Sequence, residues 1–284
     1  MKAPLSSLVI KYIVVLFACM IVIYPLFWMI TMAFKPVAEW TSGSGLRWLP
    51  QNPTLSNFEY LLRGHTAGLP VSLDRTILGP LVSSLVASSC GTLLAVTAGT
   101  LSSYAVVRFN TLKLLPLSVL QLRLFPPLAV MTPVMVMWAF IGAIDTWWGL
   151  SLIYGIVTLP FAFWLMKTFF EEVPIEIEEA ARVSGSSYWR IFYRITLPIV
   201  KPGLATCVLF VFVINWSDYL LALLLTQKDW VTLPVFMSSL NSAMGEMYGM
   251  KAALGLIAAI PPVVLGLLIQ KHLVRGLTFG ALKQ

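Results

Sequence analysis

Charge is what this chain has least of: only 11% of its 284 residues are Asp, Glu, Lys or Arg, while hydrophobic residues make up 58%. A soluble domain carries charge on about a quarter of its residues, so a water-soluble globule with an ordinary charged surface is excluded. Cysteine is scarce too. Cys19, Cys90 and Cys207 sit singly in three apolar stretches, which excludes a disulfide framework and a thiolate metal site and leaves them as small core residues. The two histidines, His65 and His272, have no His, Cys or carboxylate at ligand spacing. No Gly-x-x-x-x-Gly-Lys-Ser/Thr run, no Gly-x-Ser-x-Gly and no His-Glu-x-x-His occurs. The chain is therefore expected to be no enzyme, to hold no metal and to carry no cofactor of its own.

What it has is length of apolar run, with a mean hydropathy of +0.86. Crossing roughly 30 Å of hydrocarbon takes about 20 apolar residues in a helix. Runs of that kind lie near Tyr12–Ala33, Ile77–Val107, Leu114–Ile141, Trp148–Met166, Ile199–Leu225 and Ala252–Ile269. The predicted fold class is all-α: a polytopic membrane protein of six transmembrane helices. It is read as one transmembrane domain over 1–284, made of an N-terminal span with outer loop (1–72), a core bundle (73–272) containing a cytoplasmic loop (168–200), and a tail (273–284). The first run is too long for a secretory signal and carries Pro25 and late aromatics, so it reads as a retained anchor.

Lys and Arg are held on the cytoplasmic side during insertion. With six spans and the N-terminus inside, twelve of them fall in cytoplasmic segments and six outside, with Arg123 within a span. Both termini and the loop at 174–202 are thereby placed in the cytoplasm. The net charge of +7 follows from topology and requires no nucleic acid partner.

Two features inside the spans carry information. Ser83, Ala87, Gly91, Ala95, Gly99 and Ser103 put a small residue at every fourth position of the second helix. Such a stripe lets another helix approach closely, within this chain in the favoured reading or from another subunit. The third span is interrupted by Pro126, Pro127 and Pro133 and carries Arg123 near mid-bilayer, where an unpaired charge costs roughly 3 kcal/mol. Asp218, in Asn215-Trp216-Ser217-Asp218-Tyr219, is the other ionisable group well inside a span, on the order of 10 Å farther out. Arg123 and Asp218 are read either as local caps of freed backbone and polar groups or as lining a path. One acid and one base at unequal depths make a poor proton relay, which argues against an ion-driven secondary transporter.

Residues 174–202 form the one charged, patterned island. Pro174 suits a first helical turn, Glu176, Glu178 and Glu179 favour its positive dipole end, and Gly185 ends it as a C-terminal cap. Ser186 or Ser187 can cap a second helix running through Tyr188, Trp189, Ile191, Phe192 and Ile195 to a stop at Pro198. Composition alone fits an amphipathic hairpin resting on the bilayer. The order of residues says more. Glu179-Ala180-Ala181, Gly185 four residues on, then Leu197-Pro198 and Pro202 resemble the Glu-Ala-Ala loop of ABC importer permeases. Asn215-Trp216-Ser217-Asp218-Tyr219, Thr232-Leu233-Pro234-Val235, Pro261-Pro262 and the tail Gly276–Lys283 resemble the carbohydrate-uptake branch, the shorter six-span partner of maltose-type permeases. Arg123 with Pro126, Ile144-Asp145-Thr146, Gly149-Leu150 and Phe169-Phe170 fit the same pattern, so the resemblance covers nearly the whole chain. One departure is clear: the family's Asp-Gly-Ala is Ser184-Gly185-Ser186 here.

The resemblance implies the type I ABC importer transmembrane fold and a permease subunit forming half of a heterodimeric pathway for a sugar or sugar-like solute. Its partners would be a homologous second permease, two cytoplasmic ATPases holding ATP and Mg, and an extracytoplasmic solute-binding protein, all at the cytoplasmic membrane of a bacterium-like cell. Glu178, Glu179, Ala180, Ala181, Ser184 and Gly185 would couple to the ATPases, with Gly280 and Lys283 of the tail as a second coupling point. Trp189 and Phe192 would brace the lever against the chain's own helices. Arg123, Asn215, Trp216, Asp218 and Tyr219 are candidate pathway residues. An ion-coupled secondary transporter and a non-transporting membrane scaffold are the alternatives, and neither accounts for the Glu-Ala-Ala loop as well.

Overall fold

In the computed structural model the described residues are 5–36, 38–39, 48–64, 76–109, 116, 118, 121, 127–242 and 245–279, side chains at 5–9, 127–129, 241–242, 245–246 and 272–279 excepted. They are almost wholly helical. In chain order the helices are α1 (Leu5–Ala33), α2 (Ser56–Arg63), α3 (Leu78–Phe109), α4 (Pro127–Phe140), α5 (Trp147–Glu171), α6 (Ile175–Val183) and α7 (Tyr188–Ile191), then a π turn at Phe192–Thr196. There follow α8 (Leu197–Ile199), α9 (Lys201–Trp216), α10 (Leu220–Leu225), α11 (Leu233–Ser238) and α12 (Tyr248–Phe279). A two-residue antiparallel pair, Asn241–Ser242 with Gly245–Glu246, precedes α12.

Four of these helices are long and apolar enough to cross a membrane: Ile10–Ala33, Leu78–Phe109, Trp147–Glu171 and Tyr248–Lys271. They coincide with the first, second, fourth and sixth expected runs. Most of the first half of the third run, with Arg123 and Pro126, lies outside the described residues; its remainder is α4. The fifth run is not one helix. α9 spans 16 residues, about 24 Å at 1.5 Å per residue, ends at Ser217 and resumes as α10. The break falls at Asn215-Trp216-Ser217-Asp218-Tyr219, where side chains compete with the helix for its own backbone groups.

The chain divides into two compact units. In the first, residues 1–78 and 237–260, the end of α1 is clamped by α2: Asn57 Nδ2 donates to the carbonyls of Ala33 and Lys35, both at 2.8 Å. Those carbonyls have no partner within the helix, so the amide supplies what the helix end lacks. Tyr60 and Leu61 are buried behind it, and Gly249 at the start of α12 lies against the Asn57 amide.

In the second unit, residues 79–236 and 261–284, α3, α5 and α9 pack around a common core. The stripe of small residues on α3 is buried throughout. A Cβ added at Gly91 would stand 2.6 Å from Tyr154 Cβ, and one at Gly99 would stand 2.8 Å from Ala162 Cβ. The stripe is thus an intrachain contact between α3 and α5, where the missing side chains let the backbones touch. Gly203 of α9 lies flat on the Phe169 ring of α5, and Asn215 Nδ2 donates to Thr92 Oγ1 at 3.2 Å, tying α9 to α3.

Between α4 and α5 the chain turns through Asp145, a non-glycine residue at φ 56. Its carboxylate accepts the backbone N–H groups of Gln227, Lys228, Asp229 and Trp230 at 2.8–3.1 Å. Asp tolerates the left-handed region better than most residues, and the four amides hold the unusual backbone in place. Burial works to raise the Asp145 pKa, but the amides outweigh it and the group stays below its ordinary value.

Candidate functional site

The island at 174–202 is where the structure concentrates polar contacts. α5 ends at Glu171, and Pro174 directs the chain into α6 with Glu176 and Glu178 in its first turn. The helix ends as the Gly185 signal predicts. Gly185 takes φ 83, its N–H donates to the Arg182 carbonyl, and the Ser186 N–H donates to Ala181. This is the Schellman arrangement, with glycine at the left-handed position. Ser184, standing where the family pattern has Asp, turns its hydroxyl back onto the Ala180 carbonyl at 3.0 Å.

The second helix departs from the expectation in two ways. Ser187 occupies the N-cap position without a side-chain cap bond. Pro198 does not stop the helix: the coil widens into a π turn over Phe192–Thr196, and Pro198 then lies in the first turn of α8. Proline removes one backbone donor and crowds the carbonyl one turn earlier; a wider turn ahead of it relieves that crowding. The break comes at Val200, and the segment Tyr188–Ile199 meets α9 at 76°.

Glu178 and Glu179, adjacent in sequence, differ in exposure. Glu178 is buried, and its carboxylate accepts from Arg108 Nε at 2.8 Å, Tyr104 Oη at 3.0 Å and Thr196 Oγ1 at 2.8 Å. Arg108 also donates through Nη2 to the Val173 carbonyl at 2.8 Å. One carboxylate therefore ties the end of α3, the end of α5, α6 and the π turn into a single block. A buried ion pair is tolerable only when its remaining polar sites are met, and here both oxygens have donors. Around it the Tyr104 ring packs on Phe170 and Phe192 at centroid distances of 5.4 and 4.7 Å. Phe192 is buried as a brace, whereas Trp189 is 64% exposed and stacks on Tyr193.

Opposite this root, the tip is bare. Glu179, Ala180, Arg182, Ser184 and Gly185 are exposed, Ala181 is half-buried, and Val183 is 91% exposed. The tip thus offers a carboxylate, small residues and an apolar side chain on a rigid turn.

Of the five pathway candidates, the four described residues differ in exposure. Asn215 and Trp216 are buried, the first on Thr92 and the second stacked on Phe212. Asp218 accepts from Tyr154 Oη at 3.1 Å and from the Ala222 N–H at 3.2 Å, so it steadies the start of α10. Tyr219 keeps an exposed face, and Arg123 lies outside the described residues, as do Gly280 and Lys283 of the tail. Sequence reasoning missed Tyr104, Arg108, Thr196 and Val183. Tyr104 and Arg108 were in principle detectable, since a hydroxyl and a cation four residues apart share one helix face; Thr196 carries no comparable signal.

Residues 91–279 match the model of the family described as binding-protein-dependent transport system inner membrane component. The trehalose transport system permease protein of Mycobacterium tuberculosis is 32% identical, with 99% of this chain and 96% of that protein covered. The trehalose/maltose transport system permease protein of Thermococcus litoralis is also 32% identical, over 93% of this chain and 92% of its own length. In fold, the chain superposes on a subunit of a bacterial ABC transporter involved in import of the acidic polysaccharide alginate with a TM-score of 0.77 at 19% identity, covering 96% of this chain and 99% of that one. The exposed loop rooted in the bundle, the apolar spans and these likenesses agree, and the chain belongs to the family of inner membrane components of binding-protein-dependent transport systems: it is a multi-pass membrane permease, not an enzyme.

Proposed function

We propose that this permease is one half of a heterodimeric pathway for a sugar or sugar-like solute, with both termini in the cytoplasm. A homologous second permease completes the pathway, a solute-binding protein delivers substrate to the outer face, and two ATPases dock beneath. ATP and Mg are held by those ATPases; this chain contributes no cofactor. The single observation that carries the reading is the division of labour between Glu178 and Glu179: one roots the loop in the bundle and the other stands on its bare tip. A rigid element anchored at one end and exposed at the other transmits a push, as domain closure on a ligand requires.

In this reading Glu179, Ala180, Ala181, Ser184 and Gly185 form the docking surface, Val183 enters the partner's cleft, and Glu178 acts as the anchor. Gly280 and Lys283 of the tail give a second contact with the ATPases. Tyr219 offers its face to the solute, since an aromatic ring suits the C–H side of a sugar, while Asn215, Trp216 and Asp218 shape the wall behind it and Arg123 lies deeper along the path. The sugar class is supported by the names of the two relatives, which refer to trehalose and maltose.

The test is uptake into proteoliposomes containing both permeases, the ATPases and the binding protein, with trehalose, maltose and a panel of non-sugar solutes. The reading predicts ATP-dependent accumulation of at least one sugar. Accumulation of an amino acid or an ion in place of every sugar would refute the substrate class.

A further inference from the structure

The root and tip of the loop account for α6 but leave the outer side of the next helix unused. Between the end of α3 and this helix lies an almost wholly apolar cavity of about 320 Å³, walled by Leu101, Tyr104, Phe109, Tyr188, Trp189 and Phe192. Trp189 of its wall stacks on Tyr193, the two rings belonging to residues 64% and 57% exposed. Arg190 and Arg194 are exposed, each the next residue after one member of the aromatic pair. From Ala180 to Ser217 the chain contains no Asp or Glu, but it has Arg182, Arg190, Arg194 and Lys201. The segment meets the apolar helix α9 at 76°. With α9 along the bilayer normal, the segment lies nearly in the plane of the membrane surface.

We propose that this face is a binding site for an anionic phospholipid: an acyl chain enters the cavity, the Trp189–Tyr193 pair lies at the glycerol level, and Arg190 and Arg194 hold the phosphate. An interfacial helix with aromatics on one side and arginines beside them meets a lipid with its tail and headgroup side by side. Anionic lipid is chosen over zwitterionic because the segment presents cations with no acid between them, each strengthening attachment to an anionic surface about fivefold. The site fixes the lever at the membrane surface, beside the Glu178 root with which it shares Tyr104. The inference rests on membrane insertion and holds on either leaflet, so its failure leaves the ATPase-docking reading untouched.

The assembled transporter, reconstituted in nanodiscs, is titrated with brominated phosphatidylglycerol and with brominated phosphatidylcholine, and tryptophan fluorescence is followed in wild type and Trp189→Phe. The site predicts a quenching component that disappears in Trp189→Phe and appears at lower mole fraction for phosphatidylglycerol. It also predicts that Arg190→Gln with Arg194→Gln removes that preference by more than tenfold while Tyr193→Phe leaves it. Equal quenching by the two lipids would overturn the proposal. So would no Trp189-dependent component in the full complex, which would mean that a protein subunit covers the face, or an unchanged preference in the arginine variants.

Discussion

At the scale of single residues, Glu178 and Gly185 govern the loop for opposite reasons, one by charge and one by its absence of side chain. Removing either partner of a buried ion pair leaves the other charge stranded at a cost of about 3 kcal/mol or more. Glu178→Ala and Arg108→Ala are therefore expected to lower the unfolding temperature of the purified complex by similar amounts, and the double variant by less than their sum. Additive losses would show that the two side chains do not act as a pair. Gly185 has nothing within 4 Å of a built Cβ, so its need for glycine is the backbone at φ 83 alone. Gly185→Ala should cost about 1 kcal/mol and Gly185→Asn less; equal effects in thermal unfolding would contradict the left-handed cap.

Asp145 gives a pH signature. Its folded pKa lies below the ordinary value, so its contribution to stability is present above the unfolded pKa of about 3.9 and is lost as pH falls through the lower folded value. The difference in unfolding temperature between wild type and Asp145→Asn should be flat at neutral pH and shrink on acidification below that range. A difference independent of pH down to acid would show that the amides do not hold a carboxylate. None of this was legible in the sequence: the four amides lie more than eighty residues away, and the positive φ at Asp145 has no local marker. The burial of Glu178 was hidden for the same reason, because Arg108 is 70 residues distant and the fold brings the two together.

At the scale of elements, periodic signals were read well. The four-residue stripe on α3 required a close helix neighbour, and α5 supplies it. The glycine stop at 185 is local chemistry and appears as expected. Proline was the poorer guide: Pro198 was read as a stop, but a π turn absorbs it and the helix runs on to Ile199. The fifth run was read as continuous because composition registers leucines on both sides of Ser217 and cannot register the break between them. The stripe yields a paired prediction. Gly99→Ala forces a Cβ to within 2.8 Å of Ala162 Cβ and of the Phe163 nitrogen, and overpacking of that kind costs about 1–3 kcal/mol. Gly79, in the first turn of the same helix, has open space around it, so Gly79→Ala should be neutral or raise stability by about 0.5 kcal/mol through helix propensity. Equal unfolding temperatures for the two variants would mean that α3 and α5 do not touch at Gly99.

At the scale of the whole molecule, the scarcity of charge and the placement of what charge there is belong to one account. Few ionisable groups in the spans, no nucleotide motif and a rooted loop with a bare tip suit the proposed role of a subunit driven by partner ATPases. Family membership places it in a system that depends on a binding protein, and in the proposed reading the loop is the point at which energy enters. Proteoliposomes carrying both permeases and the ATPases, assayed for hydrolysis stimulated by the loaded binding protein, test this most directly with Glu179→Lys and Gly185→Pro in place of wild type. The account predicts that the complex stays assembled while stimulated hydrolysis falls to the unstimulated rate in both variants. Stimulation unchanged by both substitutions would contradict it, because the loop would then carry no part of the coupling.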